Sequence, residues 1–168
     1  MSNDEETSPV QAVWDAMMRS VDFYDGPLTD AQSGAVMYAI AAITDGPPEA
    51  MFGEYFKTGR EGDVVYRFYW AKGGSFGCAE VLRPAEMDGA PPVVRGWVRP
   101  LSKVAKVDVG SKVDRYPVVR SEHAVKMRID IHWDGGDEAV VLDGTGSMTT
   151  YSRPELEKLI RFVLDRVS

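Results

Sequence analysis

The sequence predicts an α+β domain: two N-terminal helices, a mostly antiparallel meandering sheet and a C-terminal amphipathic helix. Three observations carry this expectation. Apolar residues recur at helical spacing near both ends of the chain, in runs opened by capping boxes. Between them, glycine turns divide the chain into β-branched and aromatic runs of strand length. One of these, Ala124–Asp134, alternates apolar and polar residues along its length. Helices and strands segregated along a chain, rather than alternating, make an α+β arrangement.

The first helix opens at Ser8-Pro9-Val10-Gln11, a capping box with proline where no amide donor is missed. Val10, Val13, Trp14, Met17 and Val21 form its apolar stripe, and Asp25-Gly26-Pro27 stops it. Thr29-Asp30-Ala31-Gln32 opens a second helix that ends at Asp45-Gly46-Pro47-Pro48. From Gly34 to Ile43 it carries no charge on any side. Such a helix is normally covered on more than one face, which predicts a central core helix between the first helix and a sheet. A dimer or partner interface is the alternative.

Strands follow. Phe52–Lys57 and Val64–Ala71 flank the polar loop 58–63 as a hairpin, and Lys72-Gly73-Gly74-Ser75 turns the chain into Phe76–Arg83. A loop at 84–92 leads to Val93–Val109, one bent strand or two short ones, because Pro100 confines that point to an edge or a break. In Ala124–Asp134, Val125, Met127, Ile129, Ile131 and Trp133 predict a buried face, and Lys126, Arg128, Asp130, His132 and Asp134 a wet one. Asp134-Gly135-Gly136-Asp137 turns into the return strand 138–143. Ser152-Arg153-Pro154-Glu155 caps the last helix, with Leu156, Leu159, Ile160, Val163 and Val167 on one face. Strands followed by a closing amphipathic helix resemble the layout of pleckstrin-homology-like domains. That resemblance implies a fold and no function.

With 168 residues the chain is expected to form a single domain over 1–168, a length that buries about 70% of the unfolded chain's surface. Residues 1–7 are polar and predicted to be disordered. A single cysteine excludes a disulfide framework and any multi-cysteine zinc site. No apolar run reaches the ~20 residues of a membrane span, and no signal or transit peptide is evident, so a cytoplasmic location is expected. The net charge of −7 is unevenly placed: residues 1–63 sum to −9 and residues 64–168 to +2. An acidic helical front, 8–48, is thus joined to a strand-rich body, 49–168. Nucleic acid is a poor partner for the chain as a whole. Within the body, however, Arg95–Arg128 holds nine basic residues against three acidic ones.

Several motifs carry residue types suited to chemistry. Asp130-x-His132-x-Asp134 places three metal-ligand types on one strand face. It begins like a calcium loop, but Val141 stands where that loop needs a glutamate. A solvated face ending in turn-forming aspartates is the stronger reading, so no metal is assigned. Val140–Ser147 resembles the Asp-Thr-Gly motif of aspartic proteases, with a glycine inserted, and the first phosphate loop of sugar-kinase and actin-type ATPases. Both require far more chain than the 21 residues after Ser147. Cys78, on a strand face with Phe76, Glu80 and Leu82, reads as a small buried hydrophobe. No nucleophile elbow, P-loop or His-Glu-x-x-His helix is present. Neither enzyme activity nor a cofactor is therefore expected.

Arg95-Gly96-Trp97-Val98-Arg99 is the candidate binding segment. On a strand, Arg95, Trp97 and Arg99 share a face, where the tryptophan is either exposed between two arginines or a core residue flanked by snorkelling charges. Lys126 and Arg128 complete the candidate surface. The sequence thus predicts a non-catalytic protein-interaction module that binds another protein or itself: an adaptor, inhibitor or immunity-type protein. In size and acidity it resembles bacterial immunity proteins. The alternative is an anionic-ligand-binding domain, taking phosphate, a lipid headgroup or nucleic acid through residues 95–128. A metal-assisted or cysteine enzyme ranks last.

Overall fold

In chain order the elements are α1 (Pro9–Ser20), α2 (Asp30–Thr44), β1 (Ala50–Lys57), β2 (Val64–Lys72), β3 (Ser75–Arg83), β4 (Val93–Pro100), a 3₁₀ turn (Leu101–Lys103), β5 (Val104–Arg115), β6 (His123–Trp133), β7 (Val140–Asp143) and α3 (Ser152–Val167). They come from a computed structural model that describes residues 8–20, 30–57, 64–83, 93–115, 123–136, 138–146, 148 and 152–168. The expectations for 1–7, Val21, the stop at 25–27, the Thr29 cap and the loops 58–63 and 84–92 lie outside the described residues. The predicted α+β class holds, with two N-terminal helices, antiparallel strands and a closing helix in the expected order.

The meander divides into two antiparallel sheets, β1-β2-β3-β4 and β5-β6-β7. Pro100 lacks the N–H that would continue the ladder, so Val93–Val109 becomes two strands with the 3₁₀ turn between them. That corner is pinned from both sides. Leu101 N donates to Gly74 O at 2.7 Å, Asp134 N to Lys103 O at 2.9 Å, and Trp133 Nε1 to Pro100 O at 3.0 Å.

The first sheet is covered on both faces along most of β2, which explains why that strand reads as a near-continuous apolar run. On one face Met51, Tyr66, Phe68, Trp70, Ala79 and Val81 pack with Val13 and Met17 of α1 and Val36 and Ile40 of α2. Across β2 and β3, Gly77 leaves room for the Trp70 ring, which a Cβ there would meet at 2.2 Å. On the other face Phe52, Tyr69, Phe76 and Cys78 meet Ile129, Ile131, Trp133 and Leu142 of the second sheet. Leu156, Leu159, Ile160 and Val163 of α3 join the same core, with Val167 partly buried beside them, as the helical stripe predicted.

Two expectations need correction. α1, not α2, is the central helix: it contacts β1, α2 and α3, and its Arg19 pairs with Glu155 of α3 at 3.1 Å. α2 buries Val36 and Ile40 on one side, leaves Tyr38 exposed on the other, and leaves Ile43 exposed in its last turn, so its lack of charge does not mean cover all round. Its C-terminal carbonyls are met by a cation, for Lys72 Nζ donates to Thr44 O at 2.9 Å and also to Asp45 O. The predicted dry face of β6 is dry over only part of its length. Ile129, Ile131 and Trp133 are buried, whereas Val125 is exposed. Val109 and Val113 on the paired strand β5 are exposed as well, because that hairpin runs on past the core.

Candidate functional site: a cleft between the two sheets

Register places the face of the first sheet that looks toward the second sheet in ordered rows. In the row nearest the corner turn, Ala50, Ala71, Phe76 and Arg99 are neighbours across β1 to β4. The next row is Phe52, Tyr69, Cys78 and Trp97. The third is Glu54, Arg67, Glu80 and Arg95, a ladder whose charge alternates at every strand. Opposite charges on directly paired positions attract, so this order also favours the observed register.

Where the second sheet stops covering this face, a cleft of about 660 Å³ opens. One side is lined by Glu54, Arg67, Tyr69, Cys78, Glu80 and by Arg95, Gly96, Trp97 and Arg99 of β4. The other is formed by Glu138, Ala139, Val140, Val141 and Asp143 in and before β7. The volume lies within the ~300–1,000 Å³ typical of small-molecule sites. Its lining is mixed in charge rather than uniformly basic.

Arg67 is the fixed cation of the floor. It donates to Glu80 at 3.0 and 3.2 Å and to the Tyr69 hydroxyl at 3.4 Å, and it stands 4.0 Å from Glu54. Burial opposes its charge, yet Tyr69 and Glu80 hold its pKa above the ordinary arginine value. Burial pushes the Glu54 carboxyl up, with Arg67 pulling against it. Burial also moves the Tyr69 hydroxyl up to about 12. The Cys78 thiol rises to about 12 for the same reason, with Arg67 opposing, so at neutral pH it is a neutral thiol.

Trp97 is half-buried. Its ring packs 6.0 Å from Phe76 and, edge-on, 6.0 Å from Trp133. The Arg99 guanidinium lies 4.6 Å from the Trp97 ring and 5.2 Å from Trp133. Arg99 Nη1 is buried without a hydrogen-bond partner among the described residues. Arg95 is exposed at the free end of the ladder and, among the described residues, pairs with no carboxylate. Gly96 is required between them, since a Cβ there would sit 2.1 Å from Cys78 O.

The structure therefore brings Arg95, Trp97 and Arg99 together and separates Lys126 and Arg128 from them. Those two lie on the face of β6 turned away from Ile129 and Ile131. Arg128 is engaged with Asp130 at 2.9 Å and Asp143 at 3.3 Å, and Lys126 has a partner of its own. The weak metal candidates share that outer face. Asp130 is held by Arg128, His132 Nε2 is 3.1 Å from Asp108 Oδ2, and Asp134 lies in the turn. Among the described residues no group of three or more His, Cys, Asp or Glu is placed to hold a metal.

The Asp143-Gly144-Thr145-Gly146 segment is a structural turn. Asp143 Oδ1 accepts from Thr145 N at 2.8 Å and Thr145 Oγ1 at 2.6 Å. Arg153 of α3 donates to Gly144 O at 2.7 Å and Gly146 O at 3.0 Å, fixing the loop to the helix it precedes. Sequence reasoning missed Glu54, Arg67, Tyr69 and Glu80. The available signal was Arg67, the one charge inside the run Val64–Trp70.

No family model, curated protein or solved structure matches this chain.

Proposed function

We propose that this chain is a non-catalytic protein-interaction domain, an adaptor, inhibitor or immunity-type protein of the cytoplasm, and that its recognition surface is the cleft between β4 and β7. The observation that carries this reading is the grouping of Arg95, Trp97 and Arg99 on one cleft wall, with Arg99 stacked on the tryptophan. Arginine and tryptophan are the residue types that dominate interface hot spots. A guanidinium already stacked on an indole loses less freedom when it binds. The thiol in the cleft, Cys78, is held in its unreactive form, which favours recognition over nucleophilic chemistry.

The test is a pull-down with the tagged full chain beside the Arg95→Ala/Trp97→Ala double variant, with light scattering to follow self-association. A species captured by the native chain and lost from a variant with unchanged circular dichroism supports the reading. A species retained by the variant, or a monodisperse native chain that enriches nothing, rejects it. A small-anion reading is favoured by Arg95 and Arg99 Nη1, which have no carboxylate or hydrogen-bond partner among the described residues. It is now narrowed to Arg95 and Arg99, because Arg128 and Lys126 are engaged elsewhere.

A further inference from the structure

We infer that the cleft takes an extended peptide segment of the partner, laid beside β4, with acidic side chains two positions either side of an apolar one. This rests on the cleft being the recognition surface and goes on to name what enters it.

Arg95, Trp97 and Arg99 are alternate residues of one strand, so their side chains leave the same face at intervals of about 6.6 Å. A second extended chain has the same repeat. Its residues i, i+2 and i+4 can meet Arg95, Trp97 and Arg99 in step, in either direction. An acidic–x–apolar–x–acidic segment is thus complementary to a cation, an indole and a cation.

Backbone groups are available as well. β4 and β7 are each the last strand of their sheet, so each has one edge that no other described strand uses. An extended segment satisfies such edges, as strand addition does elsewhere.

The charges in the cleft also select against other polyanions. Arg67 is taken up by Glu80 and Glu54, and Asp143 by Arg128, which among the described residues leaves Arg95 and Arg99 without a carboxylate partner, with Glu138 also in the lining. These two guanidiniums are about 13 Å apart along the strand. A nucleic-acid strand places a charge about every 3.4 Å and would press several phosphates against Glu80, Glu138 and Asp143. Two carboxylates about 13 Å apart avoid that conflict.

The probe is a fluorescein-labelled, amidated heptapeptide with glutamate at its second and sixth positions, phenylalanine at its fourth and threonine or serine elsewhere. Its anisotropy is followed against the full-length chain. Saturable binding is expected, at least tenfold tighter than for the same peptide with lysine at both glutamate positions, and weakened at high salt. Arg95→Glu lies on an exposed position but sets a like charge opposite Glu80, so it is compared only after circular dichroism shows the native fold. It should weaken the glutamate peptide at least fivefold and strengthen the lysine peptide. Arg99→Lys, which keeps the charge and loses the stacked fork, gives a second measure at a site nearer the core and should weaken binding at least threefold.

Equal affinity for the two peptides, no saturable binding, or full displacement by inorganic phosphate at equimolar concentration would overturn the inference. If the peptide fails while Arg95→Ala/Trp97→Ala still releases the captured species, the extended acidic segment is wrong and the cleft is right. If both fail, the recognition surface itself is wrong.

Discussion

Arg67 on β2 donates to one carboxylate oxygen of Glu80 on β3 through two nitrogens, Nε at 3.2 Å and Nη2 at 3.0 Å. The same guanidinium lies 5.0 Å from the Phe56 ring and reaches the Tyr69 hydroxyl. One side chain thus ties together the three strands that floor the cleft.

Arg67→Met keeps most of the aliphatic stem and removes every polar contact. Half-exposed ion pairs contribute about 0–1 kcal/mol and a cation–π contact about 0.5–1 kcal/mol. A loss of about 1 kcal/mol is expected, read as a lower urea midpoint with an unchanged slope. A midpoint equal to that of the native chain would show that the ladder sets geometry without adding stability.

Glu54 supplies a pH signature. Its folded pKa is raised above the ordinary 4.5 by burial, so ionising it costs stability. The sign follows from linkage: the folded state holds the proton more tightly, and stability falls as pH climbs from about 4.5 through the raised value. Glu54→Gln should remove that decline without lowering stability at neutral pH. Parallel pH–stability curves for native chain and variant would contradict the raised pKa.

How much of this was legible in the sequence varies with the physics of each part. The α3 stripe and the turn glycines were readable because local periodicity and backbone freedom decide them; Gly73 and Gly135 indeed have φ of +57° and +70°. The split into two sheets was half-legible, since Pro100 marks a break without saying where the chain turns. α2 misled because a missing charge constrains solubility, not cover. The charge ladder was invisible because it joins residues 13 to 41 positions apart, and only strand register aligns Glu54 with Arg95. Grouping Lys126 and Arg128 with Arg95 failed for the same reason, as nearness in sequence does not choose a sheet face.

Cys78 should be inert in the native chain. Raising a thiol from 9.0 to about 12 leaves about a thousandfold less thiolate at pH 8. Disulfide-exchange reagent should label it only on unfolding, with the rate rising in step with denaturant. Stoichiometric labelling of the folded chain within minutes would mean that the thiol is neither buried nor shifted.

Asp143 has the opposite pH behaviour to Glu54. Hydrogen bonds from Thr145, and then Arg128, hold its pKa below the ordinary 3.8. Its contribution is complete above that ordinary value and is lost as pH falls through the depressed one. Thr145→Val removes the hydroxyl donor and keeps the backbone one. The Asp143 carboxyl should then titrate higher by nuclear magnetic resonance, and acid unfolding should begin at a higher pH. An unmoved carboxyl would assign the shift to the Thr145 backbone N–H and Arg128, not to the hydroxyl.

Gly96→Ala links the fold to the cleft most directly. The added Cβ would stand 2.1 Å from the Cys78 carbonyl oxygen, a contact that backbone alone makes and that no side-chain rotation relieves. β4 must move away from β3, at a cost of about 1–3 kcal/mol. Because Arg95, Trp97 and Arg99 all ride on β4, the shift also alters the wall that recognises a partner. The expected result is a lower melting temperature together with weaker binding of the glutamate heptapeptide at a temperature where the variant is folded. Gly74→Ala is the control: a Cβ at that turn position meets no atom within 4 Å, so binding should be unchanged. Equal binding by the Gly96→Ala variant would show that the cleft does not depend on where β4 sits.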